Sequence, residues 1–172
     1  HYRPARVLTR NFIMATLHLL HGFAGAGKTT FAKQLARDIR AVRFTPDEWM
    51  VKLYGNNPPE AHFADYFERI TKLIWQVTEQ MIQLEQDVIL DFGFWSRASR
   101  DEARAKARIM NADVKLYFVT ASNALMKHRV LERSRTLPEG ALVMDEHAID
   151  LLKHRVEPLA DDEPHIIVST DT

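Results

Sequence analysis

One octapeptide constrains this chain more than anything else in it. Gly22-Phe23-Ala24-Gly25-Ala26-Gly27-Lys28-Thr29 satisfies the pattern G-x-x-x-x-G-K-[ST] without a mismatch. An apolar run, TLHLL at 16–20, leads into it, and KTTFAKQLARDI leads out, with Phe31, Leu35 and Ile39 at four-residue spacing. A strand, a tight loop and a helix follow one another directly. A loop that curls around an anion with its N–H groups pointing inward needs backbone shapes that glycine adopts and other residues resist. The helix behind it sets the positive end of its dipole beneath the same anion. The spacing therefore predicts that residues 22–29, with Thr30, hold the phosphates of ATP. In that reading Lys28 neutralises the β and γ oxygens and the Thr29 hydroxyl ligates Mg2+. A chance strand-turn-helix is the plain alternative, and the matching context on both sides argues against it.

The rest of the chain alternates short apolar runs with longer helical patterns, the mark of α/β units around a parallel sheet. AVRFT is a second strand, closed by Thr45 and Pro46; Asp47 can cap a short helix through Trp49, Met50 and Leu53 that Gly55 ends. NNPPE is a loop, and residues 61–84 form a long helix whose face carries Phe63, Phe67, Ile70, Ile74, Val77, Met81 and Leu84. DVILDF is the third strand; Ser96 opens an alanine- and charge-rich helix that Asn111 ends. VKLYFVT at 114–120 is the fourth strand, and Ser122 caps a helix reaching about Arg133. TLPEGALVM interrupts the pattern with Pro138 and Gly140, so a lid is expected at about 134–146. A helix from Asp145 to about Val156 and a fifth strand, HIIVS, complete the pattern.

With 172 residues, the chain suits one core and one domain, expected over residues 14–172. Residues 1–13 carry Arg3, Arg6 and Arg10 without an acid and precede a plausible initiator, Met14, so they read as an N-terminal extension. The 23 basic and 23 acidic side chains cancel, which leaves no global field to draw the protein onto nucleic acid or an anionic membrane. The absence of cysteine removes disulfides and thiolate metal sites and fits a reducing compartment, so a cytoplasmic location is expected. No run approaches the ~20 apolar residues of a membrane helix.

The wider sequence narrows what the loop serves. Guanine-specific proteins carry [NT]-K-x-D, whereas Thr71-Lys72 here is followed by Leu73-Ile74 on the long helix, so ATP is the expected nucleotide. Asp91 ends the third strand, the usual place for a carboxylate that holds Mg2+, and its follower is Phe92 rather than a water-activating glutamate. The letters Asp91-Phe92-Gly93 also spell a protein-kinase motif whose companions are missing. Asp47 lies nineteen residues after Lys28, beyond the carboxyl end of the second strand, where it can act as general base toward an acceptor hydroxyl. Spacing alone leaves that role and the helix cap open. Arg129 and Arg133 share a helical face leading into the lid and are expected to contact ATP, with Arg133 neutralising the transition state. Arg97 and Arg100 could hold an anionic acceptor or pair with Asp101 and Glu102. Trp49, Tyr54, Phe92, Phe94 and Trp95 suggest an aromatic-walled acceptor pocket; Phe92 reads better as core, while Trp49 and Trp95 are the acceptor candidates, with Asp47, Asp91 and Arg97.

Together, the loop, Thr45-Pro46-Asp47-Glu48-Trp49-Met50, Leu90-Asp91-Phe92-Gly93-Phe94-Trp95-Ser96-Arg97 and the lid arginines resemble the small P-loop kinases of the AAA-family ATP-binding proteins. These are similar to chloramphenicol phosphotransferase, polynucleotide kinase and zeta toxin. The resemblance runs from about Thr16 to the end and implies a three-layer P-loop NTPase fold, a five-stranded parallel sheet in the order 2-3-1-4-5 with helices on both faces. It also implies that Asp47 is the base and that Arg133 contacts ATP. The Asp-Gly-Phe-Pro-Arg element of adenylate kinases is only loosely echoed by residues 91–97, and the aspartate pair of shikimate kinase is absent. The expected activity is ATP-dependent phosphoryl transfer to a small-molecule hydroxyl, such as that of an antibiotic, sugar or nucleoside. A polynucleotide 5′-hydroxyl or nucleotide-sugar acceptor, and a non-catalytic ATP switch or ATPase, are the alternatives. Neutral charge and the acidic Asp161-Asp162-Glu163 offer a nucleic acid little help.

Overall fold

After its first residue, the strand ahead of the glycine loop is buried throughout, as befits the centre of a parallel sheet covered on both faces. The computed structural model describes residues 14–144 and 146–171. The N-terminal extension expected at 1–13, and Asp145 at the expected start of the last helix, lie outside the described residues. The strands are β1 (Thr16–His21), β2 (Val42–Phe44), β3 (Val88–Gly93), β4 (Asp113–Thr120) and β5 (Ile166–Ser169). All pair in parallel, in the order β2-β3-β1-β4-β5, as the resemblance implied. In this order the chain leaves β1 toward β2 on one side, and leaves the adjacent β3 toward β4 on the other. The loop after β1 therefore occupies the crevice where open α/β sheets take their ligands.

The helices are α1 (Lys28–Ile39), α2 (Pro46–Tyr54), α3 (Glu60–Gln83), α4 (Arg97–Ile109), α5 (Asn123–Thr136) and α6 (Glu146–Lys153). Strand alternation sorts the core into two layers. Leu17, Leu19, Val88 and Leu90 pack with Ile70, Ile74 and Ile82 of α3 and Ala103 and Ala107 of α4. Leu20, Ile89, Tyr117 and Val119 pack with Ala32 of α1 and Met126 of α5. Ser96 caps α4 by accepting from the Ser99 N–H at 3.1 Å, and Asn111 turns the chain out of it with φ 55°.

Two boundaries move in ways that matter for function. Thr45 leaves β2 and becomes the extended N-cap residue of α2, with Pro46 in the first turn, so Asp47 lies inside the helix and not at its cap. α5 continues to Thr136 and ends on Leu137 in the left-handed region, so Ser134 and Arg135 are helical and the expected lid shrinks at its start. Among the described residues, no helix is long and apolar enough to cross a membrane.

Candidate active site

The phosphate loop is held in shape by close backbone packing of its glycines and by side chains that donate to its carbonyls. A Cβ on Gly22 would lie 2.3 Å from the Val119 carbonyl oxygen, and one on Gly25 (φ 80°) 2.3 Å from that of Met126. These glycines therefore answer to close packing against β4 and α5 as well as to dihedral freedom. Inside the loop, the Ala26 N–H donates to the Phe23 carbonyl at 3.2 Å and the Lys28 ammonium donates to the same oxygen at 2.9 Å. α1 begins at Lys28 with its first N–H groups facing this loop, the arrangement that suits an anion. Burial lowers the pKa of Lys28, Arg133 adds to that, and the charges of Asp91 and Asp47 oppose it.

Across from Lys28 the tertiary structure gathers Asp47, Asp91 and Arg133. Asp47 is open to solvent yet ringed by protein, as at the bottom of a cleft. Burial pushes its carboxyl above the usual range, the Asp91 charge adds to this, and Lys28 and Arg133 pull the other way. Asp91 is buried within β3, which runs two residues beyond it to Gly93 rather than ending at it, and accepts a hydrogen bond from the Thr29 hydroxyl at 2.9 Å. Its carboxyl is also raised by burial, against the pull of Lys28, the Thr29 hydrogen bond and Arg43. The Nε of Arg133 is buried without a hydrogen-bond partner among the described residues, close to the charges of Lys28 and Asp47.

Mg2+ keeps several waters and substrate oxygens and asks few ligands of the protein. No cluster of three or more metal-ligating side chains occurs among the described residues. The adjoining Thr29 hydroxyl and Asp91 carboxylate supply the hard oxygen donors that such a partly hydrated ion needs, so the residues fit the metal.

Sequence reasoning missed Arg43 and Glu48. One Arg43 nitrogen donates to both Glu48 carboxylate oxygens at 2.8 and 2.7 Å, and the other lies 3.6 Å from Asp91 Oδ2. Glu48 in turn meets Lys33 at 3.7 Å and packs under Gly140 of the lid. The lid also joins the loop after α2, where the Val143 N–H donates to the Asn56 carbonyl at 3.1 Å. A lone arginine in a short edge strand looks solvated, so no local signal marked Arg43.

Other expected site residues are occupied elsewhere. Arg97 donates to Asp101 and to both carboxylate oxygens of Asp162 at 2.8–2.9 Å, so its charge is matched and it does not reach toward an acceptor. Arg100 is fully buried against Glu163. Arg129 spends its N–H groups on Thr170 at 2.8 Å and on the Gly25 carbonyl at 3.3 Å, bracing the loop from behind. Trp95 donates its indole N–H to the Gly22 carbonyl at 3.0 Å, and Trp49 sits edge-on to Phe44. Tyr54 stacks on Tyr66, and Phe92 on Phe94. These rings pack against one another and against the loop, and the groups that act on Asp47 are charged.

Residues 17–159 match the AAA domain family. The chain belongs to that family. No curated protein matches the sequence. Among solved structures, a Chloroflexus aurantiacus protein provisionally described as a kinase shares 18% identity over 92% of this chain and 90% of its own, with a TM-score of 0.74. Chaetomium thermophilum Kti12, solved with ADP-AlF3, shares 15% over 90% and 89%, at 0.69. A gluconokinase from Sinorhizobium meliloti 1021 shares 14% over 90% and 82%, at 0.59. At these identities the likeness is one of fold, that of a small P-loop nucleotide-binding domain.

Proposed function

We propose that this AAA-domain protein is an ATP-dependent kinase that moves the γ-phosphate of Mg-ATP to a hydroxyl of a small polar molecule. The observation that supports it most is the gathering of Lys28, Asp47, Asp91 and Arg133 at one end of the sheet. Asp47 takes the proton of the acceptor hydroxyl as that oxygen bonds to the γ-phosphorus. The bond from phosphorus to the β–γ bridging oxygen breaks, and ADP leaves. Lys28 and Arg133 neutralise the charge on the transferring group, and Thr29 and Asp91 would hold the metal, which would supply further positive charge to the phosphates. Solved structures of similar fold include a gluconokinase, in keeping with a sugar-like acceptor.

The charged lining of the cleft favours a compact, polar alcohol over a flat hydrophobic one. Its test is a panel of sugars, nucleosides and aminoglycoside-type alcohols incubated with γ-labelled ATP. One class of compound is expected to take the label from the wild-type protein and none from Asp47→Asn, while ADP affinity stays within a few-fold. Steady release of labelled phosphate with no labelled alcohol would replace this reading with an ATPase or switch.

A further inference from the structure

The turn joining β3 to α4 is strained and tightly tied. Gly93 has φ 86° and Phe94, a bulky residue, has φ 42°, a conformation that persists only where the surroundings impose it. The Trp95 ring lies directly on Gly93, where a Cβ would come within 2.7 Å of the indole nitrogen. This turn grips the first residue of the phosphate loop through both of its main-chain groups. The Gly22 N–H donates to the Gly93 carbonyl at 3.3 Å, and the Gly22 carbonyl accepts from the Trp95 indole at 3.0 Å. The neighbouring His21 Nδ1 lies 3.0 Å from the Phe94 carbonyl; a carbonyl can only accept, so that nitrogen carries the proton.

Behind the turn stands Arg100, with no exposed surface. One of its terminal nitrogens donates to the carbonyls of Phe94 at 3.1 Å, Trp95 at 3.2 Å and Glu157 at 3.3 Å. The other donates to the Pro158 carbonyl at 3.3 Å and, with Nε, grips Glu163 at 2.8 Å. Glu163 is 2% exposed and also accepts from Arg104 at 2.7 Å and from the Ala160 N–H at 3.1 Å. These hydrogen bonds, above all those from Arg100, hold its carboxyl far below the usual range. From the far segment, the Glu157 N–H donates to the Trp95 carbonyl at 2.8 Å.

A buried ion pair is weak evidence for stability, because desolvation consumes much of the attraction. What this one does is distribute donors to the carbonyls on either side of Trp95 and tie them to the segment before β5. The trans peptide plane carries that order into the loop: a Gly22 carbonyl pinned toward Trp95 points the Phe23 N–H the opposite way. That peptide is the first of the loop, so its plane sets the direction in which the chain enters the turns that follow. We propose that Trp95, Arg100 and Glu163 form a brace that sets the entrance of the phosphate loop, making them positioning residues for the nucleotide. The proposal rests on residues 22–29 being the nucleotide site, and on no assumption about the acceptor.

The deciding variant is Trp95→Phe, which keeps an aromatic ring and removes the donor to Gly22. Isothermal titration with ADP is expected to show affinity about three- to ten-fold weaker, as for one lost hydrogen bond, with Tm nearly unchanged. A paired variant, Arg100→Met with Glu163→Leu, replaces the ions by hydrocarbon of similar bulk and is expected to melt near the wild type while binding ADP at least as weakly as Trp95→Phe. A purely structural role predicts the reverse, with Tm tracking every change and ADP affinity constant in whatever folds. Wild-type ADP affinity in Trp95→Phe overturns the brace even if the paired variant fails to fold. If the wild type itself binds no ADP, or Lys28→Ala binds it equally well, the nucleotide-site reading fails and takes the brace with it.

Discussion

The two walls of the cleft are built from different materials. On the nucleotide wall, glycine backbone packs directly on main chain, Gly22 against Val119 and Gly25 against Met126, and the side chains of Trp95, Arg129 and Thr170 pin the loop carbonyls from outside. On the facing wall, which the proposed acceptor would meet, shape comes from long charged side chains, with Arg43 joining Glu48 to Asp91 and Glu48 packed against Gly140. A backbone wall tolerates few substitutions and suits a ligand common to many enzymes. A side-chain wall can be rewritten one residue at a time, which is how a single fold comes to serve many acceptors.

The largest expected effect falls on the acceptor wall. Asp47→Asn should lower transfer by about 10²- to 10⁴-fold, the usual contribution of a positioned base. In the wild type, the acid limb of kcat/KM should lie above the ordinary carboxylate range, since burial and Asp91 raise the Asp47 pKa; a limb near the free-aspartate value would remove Asp47 from the role. The sign for stability is opposite. A carboxyl whose folded pKa is raised becomes a cost as pH climbs from the unfolded value through the folded one, but Asp47 is exposed and solvent screens that cost, so Asp47→Asn should shift Tm little at neutral pH and not at all in acid.

Gly25→Ala comes next and probes the nucleotide wall. Its Cβ would meet the Met126 carbonyl at 2.3 Å from a φ of 80°, so ADP affinity should fall by more than about ten-fold. Strain should also cost about 1–3 kcal/mol of stability, read as a lowered Tm. A tolerant Gly25→Ala would mean the two walls are not so different. Arg43→Gln is expected to raise the Mg2+ concentration for half-maximal turnover about ten-fold, as for loss of an outer partner of a metal ligand, with ADP affinity in the absence of Mg2+ unchanged. The smallest effect should be that of Arg97→Ala, whose ion pairs are exposed. Transfer and KM for the acceptor should stay at wild-type values, with stability altered by less than about 1 kcal/mol; a raised acceptor KM would return Arg97 to the binding site.

Legibility followed the same divide. The loop from Gly22 to Thr29 could be read because its chemistry is local, requiring glycine, lysine and a hydroxyl at set spacing between a strand and a helix. Asp47 could be placed but not assigned, since an aspartate after a strand serves equally as cap or base. In the structure Thr45 and Pro46 take the cap and first-turn positions, which frees Asp47 from the cap and leaves the base as the proposed role. Arg97 and Arg100 stand one turn apart in the same helix, yet one is spent on exposed carboxylates and the other is wholly buried. The reason is Glu163, a partner sixty-three residues further along.

By itself, the amino-acid sequence determined the α/β alternation, the phosphate loop and the carboxylates at the ends of the second and third strands, because periodicity, glycine spacing and strand ends are short-range properties. Only the tertiary structure decided which charges face the cleft and which are spent on scaffolding. Trp95 and Arg129 became braces, Arg43 entered the site, and the aromatic rings withdrew into packing. Pairing between distant side chains depends on where strands and helices bring them, and the 2-3-1-4-5 order of the sheet is what sets that meeting.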